Sequence, residues 1–491
     1  PLSITPDTES DYVWRPLQSL SLLSERWGAL FSGHEVNPLW WGLYNWARES
    51  DTYRPRLGEV SRGIRDNNDV PVITKDLVNG LFLSKGYMSG SVTRLERYQQ
   101  CPFKFYAQYG LKLEPRRVRS FGAPEIGTFL HANLERLGNY LLENNKQWRD
   151  LNEEDQLNLC RSVADEILQE NHGGEETSDA YQKAIEQRVQ RTLHVTVDRR
   201  VEWSKRSDFD TKYLEQDFGR QGGWDPIRVP LGEDRYLRLI GQIDRIDEYT
   251  RDGQTYGMVI DYKSGGAHVT AQDVYYGLKL QLMTYLLALE SAYGNRQGQS
   301  MAPAAVVYSY VKNPKIPAGA PISYEDAVAL AKESDAWQNS GYFSDDVELL
   351  THIDNKFLSY GSKRGPYVPI ATKKDQTISS RDLHKVKNTG EFDVMCRYTN
   401  HVMADIGRHI GEGQFPIQPY QLNKNRPCTY CDYNTVCRFD SSRNRYNYLS
   451  RLSEDDALER MKEVLNDENS DNNGNRNNGN NSSEGGENHG C

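Results

Sequence analysis

Two periods of apolar and polar residues divide the chain. In "PEIGTFLHANLERLGNYLLE" (124–143), Ile126, Leu130, Leu134 and Leu137 recur on one side of a 3.6-residue period and predict a helix. "SGSVTRLERYQQCPFKFYAQYGL" (89–111) reads as another, with Thr93 and Glu96 at capping-box spacing. "NPLWWGLYNWA" (37–47) is a helix rich in aromatics. Strand-like alternation appears in "KYLEQDFG" (212–219), "RYLRLIGQIDRIDEY" (235–249) and "TYGMVIDYK" (255–263). A long helix, "AQDVYYGLKLQLMTYLLALESAY" (271–293), and the apolar strand "APAAVVYSYV" (302–311) follow. A mostly helical region then leads to the cysteine-rich "PCTYCDYNTVCRFD" (427–440). This order predicts an α/β fold, a small mixed sheet with helices on its flanks and a site at one edge. Three parts are expected: 1–85 as the end of an earlier domain plus a connector, 86–450 as the main domain, and 451–491 as an acidic, Asn/Gly-rich tail, mostly disordered.

Composition changes this picture in one respect. The 491 residues carry a net charge of −10, but from Ser453 onward ten acids and three bases contribute −7, so the body is at −3. Overall acidity is therefore no argument against a nucleic-acid partner; a binding surface has only to be local. The basic clusters Arg116, Arg117 and Arg119, then Lys363 and Arg364, then Lys373 and Lys374 are candidate phosphate contacts, although such runs are more often solvated loops. No apolar run approaches the roughly 18 residues of a membrane helix, and no signal peptide opens the chain. Seven cysteines spread over this length do not form a secreted disulfide framework, and a cytoplasmic location is expected. The chain opens on Pro1 rather than Met and is expected to be a fragment of a longer protein. There is no internal repeat, and no Gly-rich loop ending in Gly-Lys-Ser/Thr that would bind ATP.

The chemistry concentrates where a strand ends in "MVIDYKSGG" (258–266). Asp252-Gly253 predicts a two-residue hairpin in which paired residue numbers sum to 505, placing Asp244 opposite Asp261 with β-carbons about 5 Å apart. Two carboxylates so placed repel, and a divalent cation between them offsets the repulsion. Lys263, two residues on, points to the same face about 7 Å along the strand. Hard oxygen ligands, Mg²⁺ or Mn²⁺, a backbone carbonyl at Tyr262 and a nearby ammonium suit phosphodiester hydrolysis. An isolated Asp-aromatic-Lys is more often an ordinary strand end; the opposed second aspartate is what raises the reading.

"GQIDRID", "VIDYKSG" and "QLMTY" together resemble the PD-(D/E)xK nucleases of the RecB type, in particular the nuclease region of the B subunits of AddAB-type helicase–nucleases. The resemblance runs from about Ser89 to Asp440, with residues 1–85 like the end of the preceding helicase-like part. It implies a restriction-endonuclease-like core, metal binding by Asp244 and Asp261, catalysis by Lys263, and a further metal ligand at His131 in "GTFLH". A histidine on an amphipathic helix would otherwise be read as a partly buried polar residue. Glu215 in "LEQDFG" is implied behind the metal ligands, and Gln281 and Tyr285, one helical turn apart, are implied to line the site and contact DNA. The implied activity is metal-dependent exonucleolytic cleavage of DNA at double-strand ends for recombinational repair, cutting the 5′-terminated strand, in a heterodimer with a helicase–nuclease A subunit in the bacterial cytoplasm. Two other readings are a stand-alone iron–sulfur exonuclease of the CRISPR-associated kind and a non-catalytic DNA-binding scaffold; the helicase-like lead-in and the intact Asp244, Asp261 and Lys263 speak against them.

Cys428, Cys431 and Cys437 form C-x₂-C-x₅-C, three thiols for one metal centre, with Cys101 in "QQCPF" the expected fourth. Four thiolates suit either zinc or an iron–sulfur cluster. The resemblance implies a [4Fe–4S] cluster clipping the start of the nuclease region to its end. Cys160 and Cys396 read as buried free thiols.

Overall fold

In the computed structural model, residues 11–478 are described apart from 12, 32, 66–67, 85, 115–122, 173–179, 233–234, 298–299, 312–320, 324–325, 328–336 and 442. The Asp252-Gly253 turn forms as expected. Both residues take positive φ, 51° and 81°, the twist that lets two right-handed strands close on two residues. It joins strand β2 (Gly241–Arg251) to β3 (Gln254–Lys263), with β1 (Asp210–Phe218) preceding them. The register sum of 505 holds from Arg251↔Gln254 to Arg245↔Ile260. Asp244 and Asp261 lie one step past the last pair. There the Asp244 carboxylate accepts the Tyr262 backbone N–H at 2.6 Å, taking over a bond the ladder would have made.

Three more strands, β4 (Met301–Tyr310), β5 (Ser340–Ser344) and β6 (Val386–Lys387), complete a mixed six-stranded sheet in the order β6-β5-β4-β3-β2-β1. β3 and β4 run parallel and the hairpin antiparallel. Alternation along β3 sends side chains to two cores. Met258 and Ile260 pack with one set of helices, α5 (Ala123–Glu143), α6 (Glu153–His172) and α7 (Ala180–Arg206). Val259 packs with another, α8 (Gln281–Gln297), α9 (Thr389–Gly411) and α10 (Glu454–Asn478). In α5 the predicted Leu130, Leu134 and Leu137 are all buried; the Ile126 side chain lies outside the described ones. Before these elements, α1 (Pro16–Phe31), α2 (Leu39–Glu49) and α3 (Arg54–Arg65) share a separate core of Leu20, Leu23, Trp27, Trp40, Leu43, Ala47 and Leu57. A four-stranded sheet of residues 83–84, 87–90, 235–239 and 227–232 packs under the second helix set.

Four expectations change. The helix expected over 89–111 is α4 (Val92–Gln100), broken at Cys101, which is extended (φ −170°, ψ 116°) because Pro102 follows it. The capping box is not made: Ser91 is the N-cap, with no side-chain bond, and Glu96 points elsewhere. The long helix over 271–293 is two, Ala271–Tyr275 and α8, parted at Gly277, whose φ of +68° a residue with a Cβ adopts only under strain. The acidic segment after residue 450, expected to be mostly disordered, opens with α10. There Ala457, Leu458, Met461 and Leu465, spaced along one face, are buried against α9. Net charge hid that stripe. Glu454 anchors it, accepting from the Ala271 N–H (3.1 Å) and the Tyr342 hydroxyl (2.9 Å). Residues 479–491 lie outside the described ones.

Candidate active site

Three adjacent strands each deliver one carboxylate to the same place. The β1–β2 register, Leu214↔Arg245 and Gln216↔Ile243, leaves Glu215 opposite Asp244, as the hairpin leaves Asp244 opposite Asp261. Glu215 has φ +43°, a left-handed conformation inside a strand. Its Oε1 is buried and has no hydrogen-bond partner among the described residues. From α5, His131 reaches in: Nδ1 is 3.6 Å from Asp244 Oδ2 and 4.0 Å from Glu215 Oε1. Ligand atoms of His131, Glu215 and Asp244 all fall within 4.8 Å of one another. The Tyr262 carbonyl, expected as a metal ligand, lies 3.1 Å from His131 Nε2. With the proton on Nε2 it accepts, and the Nδ1 lone pair is left facing the carboxylates.

Asp261, 1% exposed, is turned the other way. Its Oδ2 is ion-paired with Lys263 Nζ and its Oδ1 accepts from Gln281 Nε2 at 2.8 Å. Gln281 Oε1 accepts from Lys263 Nζ at 3.1 Å, and its Nε2 also reaches the Tyr285 hydroxyl at 2.8 Å. The glutamine thus ties acid and lysine into one closed network, and Tyr308 on β4 puts its ring 5.3 Å from the ammonium. In "DRID" the second aspartate belongs to a different face: Asp247 is paired with Arg245 at 2.6 Å, both buried.

Burial dominates the electrostatics. It pushes the Glu215 carboxyl up to about 9, with Asp244 next in effect. Asp261 is raised by burial and then by Asp244; Asp244 is raised by burial alone, against the Tyr262 N–H, Lys263 and Arg200. Desolvation lowers His131. Three crowded carboxylates and a neutral imidazole fit a hard divalent cation, which offsets the charge that burial disfavours.

Two participants escaped the sequence reading. Arg200, buried on α7, lies with its guanidinium 4.1 Å from the Tyr262 ring and exerts a positive field on Asp244. Glu96 accepts the backbone N–H groups of Leu280 (2.7 Å) and Gln281 (3.1 Å). Arg200 has no local sequence signal, and Glu96 had only the capping-box spacing that the structure does not use. Of the basic clusters, Lys363, Lys373 and Lys374 are exposed, while Arg364 is engaged by the buried Asp382 at 2.7 Å; Arg116, Arg117 and Arg119 lie outside the described residues.

Far from this network in sequence, Cys101 is buried with Phe103, Ala107, Ile417 and Tyr433, and Cys431 and Cys437 pack on that cluster. The Phe103 N–H donates to Pro416 O (3.2 Å) and the Tyr433 hydroxyl to Leu113 O (3.0 Å), joining the two segments. Cys428 is half-buried and exerts its field on Cys101. Cys160 and Cys396 are buried free thiols, as expected. No described helix is long and apolar enough to cross a membrane.

Asp244, Asp261 and Lys263 lie at the ends of two interior strands of the mixed sheet rather than at its edge as expected, and the arrangement resembles a phosphodiesterase core. Residues 89–438 match the PD-(D/E)XK nuclease superfamily, and the chain belongs to it. Residues 5–63 match the fifth domain of the ATP-dependent helicase/deoxyribonuclease AddB. Among curated proteins the chain is similar to the B subunit of the ATP-dependent helicase/deoxyribonuclease of Clostridioides difficile, 30% identical over 89% of this chain and 37% of that protein. The corresponding B subunit of Clostridium perfringens strain SM101 is 32% identical over 89% of this chain and 38% of its own length. That of Thermoanaerobacter sp. strain X514 is 30% identical over 88% and 37%. The chain therefore spans under two fifths of the relatives it matches.

Proposed function

We propose that this chain is the nuclease-bearing part of a helicase–nuclease B subunit that hydrolyses DNA at double-strand ends with Mg²⁺ or Mn²⁺, cutting the 5′-terminated strand beside a helicase–nuclease A subunit in the bacterial cytoplasm. The observation that carries it is the cluster of His131, Glu215 and Asp244 ligand atoms, with Asp261 on the neighbouring strand held by Lys263 beside it. His131, Glu215 and Asp244 would hold the cation, with Asp261 beside them as a further carboxylate. The Tyr262 carbonyl fixes the histidine tautomer. When bound, the cation supplies Lewis-acid polarisation of the phosphate and acidifies a water. Lys263 places a positive charge where charge develops in the transition state, and Gln281 keeps the ammonium beside Asp261. Tyr285, expected to contact DNA, is instead buried in the core and anchors Gln281 from one turn along α8, and Gln281 lines the approach of the DNA.

Strand-specific end labels on linear single- and double-stranded DNA test this reading. Cleavage is expected with Mg²⁺ or Mn²⁺ and loss of 5′-end label from duplex; cleavage undiminished by EDTA refutes it.

The cysteine site is proposed to hold a [4Fe–4S] cluster through Cys101, Cys428, Cys431 and Cys437, a structural clip closing a long loop. The packing of half-buried Cys431 and Cys437 against the cluster that buries Cys101 supports the grouping. Among the described residues no three of the thiols come within 4.8 Å of one another. Substituting Cys101 by Ser is expected to remove iron as fully as Cys431→Ser, and to raise protease sensitivity near 89–111 and 420–440. Cys160→Ser changes little. Iron and acid-labile sulfide, measured on protein purified without oxygen, decide it: zinc without sulfide excludes the cluster, and full iron content in Cys101→Ser excludes Cys101.

A further inference from the structure

Gln281 does its work from the first position of α8, directly after the break that ends at Leu280. A side chain there is only as well placed as the helix end that bears it, and the first N–H groups of a helix have no partner within the helix. In this protein those of Leu280 and Gln281 are both taken by one oxygen, Glu96 Oε1, at 2.7 and 3.1 Å. Glu96 comes from α4, 185 residues earlier. The same face of α4 meets the break a second time. Gln99, one turn further on, packs so closely over Gly277 that a Cβ on that glycine would lie 2.9 Å from Gln99 Cγ. Beyond Gln281 the chain of contacts is short: its Oε1 to Lys263 Nζ, its Nε2 to Asp261 Oδ1.

We propose that Glu96 is a positioning residue for DNA cleavage: by clamping the start of α8 it fixes Gln281, and through Gln281 the mutual placement of Lys263 and Asp261. The proposal rests on the active-site reading above. A carboxylate suits the task because a helix N-terminus presents partial positive charge as well as donors. It also gives α4 a second duty. That helix carries Glu96 and Gln99 on the side facing α8 and ends at Cys101, so one rigid element links the cysteine-bearing segment to the reacting groups.

Single-turnover cleavage of end-labelled single-stranded DNA by this chain at saturating Mg²⁺ tests the idea, with DNA affinity measured separately in EDTA. E96D, which keeps the charge and withdraws the oxygen, and E96A are expected to slow cleavage about 10- to 100-fold with affinity little changed, since a misplacement near 1 Å costs that much. E96Q keeps an acceptor oxygen at the same reach and restores most of the rate. In a Q281A background E96D adds little further loss, because both act through one side chain. A parental rate in E96D, or losses that add fully in the double variant, would overturn the proposal and leave Glu96 a cap that merely stabilises the fold. D261A separates the two claims: if it still cleaves, the active-site reading itself is at fault; if it is inactive while E96D cleaves normally, only the role of Glu96 fails.

Discussion

Asp261→Ala is expected to lose DNA cleavage by on the order of 10³-fold or more without loss of the fold. The side chain sits past the last ladder pair of the hairpin, where it makes polar contacts to Lys263 and Gln281 and fills no apolar core. Its stability effect has a definite sign. Burial, then Asp244, raises the Asp261 carboxyl in the folded state above its unfolded value near 3.9. As pH climbs from about 4 the unfolded chain releases this proton first. The group therefore destabilises the fold increasingly with pH, and the penalty is complete only above the folded value. Asp261→Asn, nearly the same shape and never charged, removes that slope. Without divalent cations it is expected to be at least as stable as the parent at pH 8, with a smaller advantage at pH 5. Thermal unfolding in EDTA at both values reads this directly, and an advantage that shrinks with rising pH contradicts it. Undiminished cleavage by Asp261→Ala would end the metal-site reading.

Lys263→Ala is expected to bind DNA almost normally and to cut it on the order of 10²-fold more slowly. Its ammonium is held by Asp261 and Gln281, so part of its charge is already balanced there and less is free for attracting DNA from a distance. Metal affinity should not fall, because the lysine now competes with a cation for Asp261. Single-turnover rates and metal titration of the same variant separate these effects. Collapsed DNA affinity with an unchanged rate for bound DNA would make Lys263 a phosphate contact only.

Much of the site was legible because it is built on a hairpin. Asp252-Gly253 fixes the turn, the turn fixes the register, and the register brings Asp244 to Asp261. His131, Gln281 and Tyr285, by contrast, came to notice through family resemblance, since nothing in the period of α5 or α8 marks them. What stayed hidden depends on partners distant in sequence. Glu96 looked like half of a local capping box, yet its donors are at 280 and 281. The apolar run around Gly277 gave no sign of a break, because the evidence for one is the side chain of Gln99 packed over it. Glu215 could be placed opposite Asp244 only once β1 was paired. The buried stripe of α10 was masked by the acids around it.

Near the two ends of the stretch that matches the nuclease superfamily, the segment around Phe103 to Leu113 and the segment around Pro416 to Tyr433 are bonded to each other. A unit whose entrance and exit coincide is portable. It can be spliced into or appended to an unrelated chain without either end having to span the sheet, and the host need supply only two neighbouring attachment points. The core of α1 to α3 is separate from those that cover the nuclease sheet, so its packing is complete without that sheet.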